Sequence, residues 1–342
     1  MNAERRSIRR LALDGLRRGG IFALTRRFSC RKARVLMYHN FAADSEDPRF
    51  TSITVIREQF EYLRRHFRVV SLQQIVRRLK SGIDLEPNSV AITVDDGRKN
   101  CYDILFPLLQ EFDFPATFFV VSSFIRGEDW VWTDKVLWLS EQASAPEELH
   151  PKRLDATFCA LNPLPPERRN ARIAELAAKG GVVIPSKPTD KYAPCSWQQL
   201  REMTQSGLVD IGSHTVRHPI MSSISDDESL QELKQSRTEI EGHIGREVRC
   251  FCFPNGMQED YRPSQLRQVA DAGYACSVMA NFGFVGRDTS PYRIPRIGMG
   301  QKSSAAEIAK YLDGLAYYQH AVTSAIRSSK PHPIDRVIPF GL

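Results

Sequence analysis

Residues 89–100, "SVAITVDDGRKN", set two adjacent carboxylates, Asp95 and Asp96, where a short apolar run meets a glycine. Val90, Ala91, Ile92 and Val94 read as a largely buried strand, too short for a self-sufficient helix, and Gly97 with the charged residues after it ends the run. Both acids therefore stand at the strand's C-terminal mouth. Neighbouring side chains on a strand point to opposite faces, so Asp95 and Asp96 are expected to do different jobs. Capping the following turn through backbone amides would occupy one of them. Two acids at the end of a buried strand repel each other and lose hydration unless a cation is near.

Strand-like runs recur outward from this one: "RVLMYH" (34–39), "FRVVSL" (67–72), "PATFFVV" (115–121), "LVDIGSH" (208–214), "RCFCFP" (249–254), "YACSVM" (274–279) and "YRIPRI" (292–297). Helix candidates lie between them: "TVIREQFEYLRRHF" (54–67), "CYDILFPLLQEF" (101–112), "SWQQLREMTQSG" (196–207) and "SDDESLQELKQSRTEIEGHIG" (225–245), the last with a Ser cap and an acidic first turn. Such alternation predicts parallel strands joined by helical crossovers, as an open doubly wound sheet or a closed barrel. In both architectures chemistry collects at the strands' C-terminal ends. Residues 126–195 interrupt the rhythm as an elaboration on the core, with Trp130, Trp132 and Trp138 at a helix-compatible spacing that favours packing over a sugar-stacking platform. Near the end, "SSAAEIAKYLDGLAYYQHAVTSAI" (303–326) reads as one helix docked on the domain, followed by an irregular tail. The expected organisation is an arm over 1–33, a catalytic domain over 34–300, and a C-terminal helix and tail over 301–342.

The 342 residues, 42% hydrophobic and 25% charged, have the composition of a soluble globular protein. The excess of positive charge is local: residues 1–34 carry eleven Lys/Arg and two Asp/Glu, leaving 36 basic and 38 acidic residues elsewhere. In the arm, arginine pairs alternate with Ile8, Leu11, Leu16, Ile21, Leu24 and Phe28, a mixture suited to an anionic membrane surface or to a solvated, partly helical tail. Nucleic acid is a weaker partner for it, and none is expected. The arm lacks the apolar centre of a secretory signal, and no uncharged run reaches the roughly 20 residues of a membrane span, so a cytoplasmic location, peripheral to the membrane's inner face, is expected. Seven scattered cysteines argue for reduced thiols. Cys250 and Cys252 alternate with Phe251 and Phe253 as small side chains on one strand face.

His214 and His218, in "GLVDIGSHTVRHP" (207–219), follow the last apolar residues of their strand. A separation of four lets two imidazoles converge on one cation if the chain makes a helical turn; paired histidines also cap turns without any ion. A carboxylate from another strand end would complete an open site with room for water and substrate. If one of Asp95 and Asp96 joins the histidines, the other can take a proton from a metal-activated water.

"TVDDG" (93–97) with "SHTVRH" (213–218) resembles the first two signatures of the polysaccharide deacetylase (NodB-like, carbohydrate esterase 4) family, and "FCFPNG" (251–256) is similar to the third. The resemblance implies an irregular (β/α)7-type barrel, the NodB homology fold, carrying the long insertion and the basic arm. It also implies hydrolysis of N-acetyl groups on an amino-sugar glycan or its lipid-linked precursor. Asp95 would be the base and Asp96, His214 and His218 the ligands of a divalent ion, with Zn2+ the first choice. The backbone N–H of Asn255, where the family has Tyr, would stabilise the oxyanion. "VLMYH" resembles the permuted arrangement of the poly-N-acetylglucosamine deacetylase branch, which makes His39 the general acid. The third signature's base-orienting arginine is Cys252 here, and Arg296 is the expected substitute from another strand. Hydrolysis of a non-sugar amide or ureide, and silent glycan binding, are the other readings.

Overall fold

The computed structural model describes residues 13–327, except residues 14, 17, 18, 46, 48 and 303. Ile8 and Leu11 of the arm, and the tail beyond residue 327, lie outside the described residues. Ten strands form among those described: β1 (Arg34–Tyr38), β2 (Phe41–Ala42), β3 (Thr51–Ser52), β4 (Arg68–Val69), β5 (Ser89–Val94), β6 (Ala116–Val120), β7 (Val209–Ser213), β8 (Cys250–Cys252), β9 (Cys276–Phe282) and β10 (Ile294–Gly298). All eight strands anticipated from the apolar runs are present, and the short β2–β3 pair is additional.

Seven strands close a parallel barrel in the order β1, β5, β6, β7, β8, β9, β10, and β10 returns to β1. On the edge of β5 away from β1, β4 takes residues 89–90 and β6 takes residues 92–94. The side-chain alternation of each strand sorts two apolar layers. Leu36, Val90, Ile92, Val94, Phe118 and Phe251 pack outward with the helices. Val35, Ala91, Phe119, Cys250, Cys252, Cys276, Val278 and Ile294 form a separate cluster in the bore. Small residues suit so narrow a bore. Cys250 and Cys252 are core residues, as their spacing suggested, and all seven cysteines are free.

Several of the surrounding helices begin where a serine satisfies their first amides. Ser196 and Ser225 each cap a helix, Trp197–Gln205 and Asp226–Ile244, through reciprocal bonds with Gln199 and Glu228. Residues 126–195 build their own small core from helices Trp132–Ser140, Leu154–Leu161 and Pro166–Lys179. Trp130 and Trp132 are buried in it and Trp138 packs against it. The single C-terminal helix expected over 303–326 is instead two, Ala305–Leu312 and Leu315–Arg327. The break falls at Asp313-Gly314, where Gly314 takes a φ of 104° that a helix excludes. Buried Asp313 is held there by the Tyr62 hydroxyl (2.7 Å) and by Arg26 (3.3 Å).

Gly212 of β7 pairs with Phe119 of β6, and a Cβ at this glycine would stand 2.5 Å from the Phe119 ring and 2.9 Å from the Cys250 carbonyl. The replacement Gly212→Ala is therefore expected to destabilise the barrel by about 1–3 kcal/mol through overpacking, read as a lowered urea midpoint at unchanged slope.

Candidate metal and catalytic site

The C-terminal ends of β1, β5, β7 and β8 meet at one mouth of the barrel. A cavity of about 260 Å3 there is lined by His39, Asp95, Asp96, His214, His218 and Asn255, among others. Asp95 and Asp96 lie just past the end of β5, and they diverge because the chain turns sharply at Asp96, which has a φ of 74°, and at Gly97, which has one of 84°. Asp95 and Asp96 are both buried.

Asp95 faces Arg296, which meets it in a two-pronged contact, Nη1 to Oδ1 and Nη2 to Oδ2, both 2.7 Å. The guanidinium is itself held by the Met279 carbonyl at Nε (2.8 Å) and by the Thr93 hydroxyl at Nη1 (3.1 Å), and its Nη2 lies 3.2 Å from the Cys252 sulfur. Burial pushes the Asp95 carboxyl up, but the Arg296 charge and hydrogen bonds outweigh it and hold the group below the usual carboxylate range. On its other side, His39 Nε2 stands 3.5 Å from Asp95 Oδ2. Burial lowers the His39 pKa against the opposing pull of Asp95, which favours the neutral imidazole.

Asp96 faces the two histidines. Its Oδ1 lies 3.6 Å from His214 Nε2 and 3.5 Å from His218 Nε2, and one ligand atom from each residue falls within 4.8 Å of the others. A tetrahedral ion with bonds of about 2.0–2.1 Å separates its donors by roughly 3.4 Å, so the spacing of this Asp/His/His set fits a small divalent ion. His214 Nδ1 is 2.8 Å from the Cys252 carbonyl; donation there leaves Nε2 free to ligate. Burial and the neighbouring His214 lower the His218 pKa to about 3, which keeps that ring in the unprotonated form a metal needs. Its Nδ1 is buried without a partner among the described residues.

The histidines do not converge through a helical turn. Thr215 and His218 both adopt positive φ, 72° and 55°, and the irregular loop is held from outside. Glu232 accepts from the backbone N–H groups of Val216 (2.7 Å) and Arg217 (3.0 Å), and the Thr215 hydroxyl accepts from the His218 N–H (2.9 Å). Asn255 sits at the cavity wall with a φ of 59°, and its backbone N–H has no acceptor among the described residues. The carboxylate of Asp260 holds this turn by accepting from the Asn255 side-chain amide and from the Met257 N–H (2.9 Å). The expected site residues are thus gathered in one cavity, apart from Arg296, which reaches in beneath Asp95.

Two participants were missed from sequence. Arg98 bonds Asp96 Oδ2 through Nη1 and grips Asp134 Oδ1 and Oδ2 through Nη2 and Nε at 2.7 and 2.9 Å. All three side chains are almost wholly buried. Asp134 belongs to the 126–195 segment, whose Trp132, Thr133, Phe158 and Asn162 also line the cavity. An arginine two residues after the acid pair was the available signal for Arg98; nothing local marked Asp134. Trp132 therefore packs and lines the site at once, with the Arg169 guanidinium 4.7 Å from its ring centre.

A parallel seven-stranded barrel with an acid pair and two histidines at its carboxyl mouth defines a class of hydrolases. Residues 82–277 match the family described as polysaccharide deacetylase, and the chain belongs to that family. It is 26% identical over 183 residues to the poly-beta-1,6-N-acetyl-D-glucosamine N-deacetylase of Escherichia coli (strain K12), a stretch covering 53% of this chain but only 20% of that relative. Among solved structures, the Streptococcus pyogenes deacetylase PplD superposes with a TM-score of 0.57 at 18% identity, covering 82% of this chain and 98% of that one. IcaB from Ammonifex degensii gives 0.57 at 19% identity, covering 83% and 97%. These likenesses establish the shared barrel.

The Arg98–Asp134 pair suggests a direct measurement. Asp134→Asn keeps the shape of the side chain but releases the guanidinium that steadies Asp96, so divalent metal affinity should fall about 10–100-fold, measured by chelator competition on the folded variant.

Proposed function

We propose that this chain is a metal-dependent amide hydrolase that removes N-acetyl groups from an amino-sugar glycan, either a poly-N-acetylglucosamine or its lipid-linked precursor. The observation that carries the reading is the separation of two acids in one cavity: Asp96 turned to a pair of imidazoles, Asp95 turned to an arginine and a third imidazole. The E. coli relative, named for deacetylation of poly-beta-1,6-N-acetyl-D-glucosamine, supports the choice of sugar.

Asp96, His214 and His218 would hold the ion, with zinc the first choice for an N/N/O donor set. A bound divalent ion supplies Lewis acidity, polarising the acetyl carbonyl and acidifying a water. Asp95, kept charged by Arg296, takes the proton as the water oxygen bonds to the carbonyl carbon. The backbone N–H of Asn255 donates to the oxyanion that forms. Collapse breaks the C–N bond, and the nitrogen leaves with a proton. A neutral His39 must first acquire that proton, and its Nε2, 3.5 Å from Asp95 Oδ2, is placed to receive the one taken from water. One water is consumed, and acetate and a free amino sugar result.

Acetate release from N-acetylglucosamine oligomers tests the reading. Asp95→Asn should lower kcat by about 10²–10⁴-fold while the metal content of the protein is retained, and His39→Gln should lower it comparably. Sugar binding without acetate release by the wild type would overturn the hydrolase in favour of a glycan-binding protein. Release from small cyclic amides but not from sugars would overturn the substrate.

A further inference from the structure

We infer that the end of the barrel opposite the cavity docks on an anionic lipid surface. The described part of the arm is a helix, Ile21–Phe28, that buries Phe22 and turns Ile21, Leu24 and Phe28 outward at 38%, 53% and 71% exposure. These positions, spaced three and four apart, lie on one face. Ile83, 54% exposed, adds a fourth apolar side chain from a different part of the chain.

Backbone contacts stitch these segments together. The Asn88 N–H donates to the Cys30 carbonyl (2.7 Å), just past the arm helix, and the Asn88 carbonyl accepts from the Arg68 N–H (2.9 Å) at the start of β4. Ala33 pairs with Val285, which brings in the loop before β10. The surface thus lies at the N-terminal ends of β1, β4 and β5, and the cavity opens at the other end.

The charges around this surface do not balance. Arg31 and Arg287 share Asp84 at 3.7 and 3.5 Å, while Arg68 and Arg78 share Glu86 at 2.9 and 2.7 Å. Four guanidinium groups face two carboxylates, and Arg27 and Lys80 stand exposed nearby. An exposed apolar stripe set in a cationic field matches the acyl boundary and headgroups of an anionic bilayer. Phe28 is the one aromatic ring on the stripe, short of the succession of stacking rings that a nucleic acid strand uses, and a second copy docked face to face would oppose arginine to arginine. No helix among the described residues is long and apolar enough to cross a membrane. The docking surface extends the expectation for the arm by including Ile83, Arg68, Arg78 and Arg287, and it turns the cavity away from the bilayer.

The test is sedimentation of the full chain with vesicles of phosphatidylcholine alone or mixed with phosphatidylglycerol. Binding should require the anionic lipid and weaken in high salt. The triple replacement Leu24→Ser, Phe28→Ser and Ile83→Ser should reduce partitioning at least about tenfold. Should that variant fold poorly, Arg31→Gln with Arg287→Gln, at exposed charged positions, should still weaken partitioning about tenfold. Failure of the wild type to bind either vesicle overturns the proposal. So does binding that both variants retain, which would shift the contact to residues outside this surface, or a dimer in solution that the triple variant disperses.

Discussion

The site depends on keeping two adjacent, buried carboxylates charged without letting them repel each other out of place. Ionised acids taken from water carry a desolvation cost of several kcal/mol each, and side by side they add their repulsion. The turn at Asp96 sends them apart, and each then meets a different cation: Arg296 for Asp95, Arg98 for Asp96. Because the two partners come from different elements, Arg296 from β10 and Arg98 from just after Gly97, the acids acquire different environments. One is set beside His39, the other beside His214 and His218.

Asp96 uses both oxygens, one toward the imidazoles and one toward Arg98, and Arg98 is clamped by Asp134. The geometry of the Asp96, His214 and His218 group therefore depends on the 126–195 segment being docked. That segment also supplies Trp132, Thr133, Phe158 and Asn162 to the cavity wall. It has a core of its own, so it reaches the site as a packed body carrying both an ion-pair clamp and an apolar wall.

The departure from the family's third signature has a spatial resolution. Cys252 occupies the strand position where the family resemblance placed an arginine, and a thiol cannot form a two-pronged contact with a carboxylate. Arg296, from β10, crosses the mouth and makes that contact, passing 3.2 Å from the Cys252 sulfur. The small side chain leaves space for the guanidinium, and the Cys252 carbonyl still orients His214. The substitution and its replacement read as one rearrangement within a closed ring.

The eight apolar runs and the helices between them were legible because most of the strands are buried on both faces and several helices, such as those beginning after Ser196 and Ser225, carry their own caps; these are local signals. The acid pair and the two histidines were legible for the same reason, as polar residues placed directly after apolar runs. Other features needed the fold. The break at Asp313-Gly314 rests on contacts with Tyr62 and Arg26, far away in sequence. The loop from His214 to His218 is irregular because Glu232 holds its amides, and its spacing of four was equally consistent with a helical turn. Asp134 joins the site through an ion pair with a residue 36 positions earlier. Periodicity and punctuation act over a few residues and so determine which elements form; which distant charges meet is decided only when the barrel closes and buries them together.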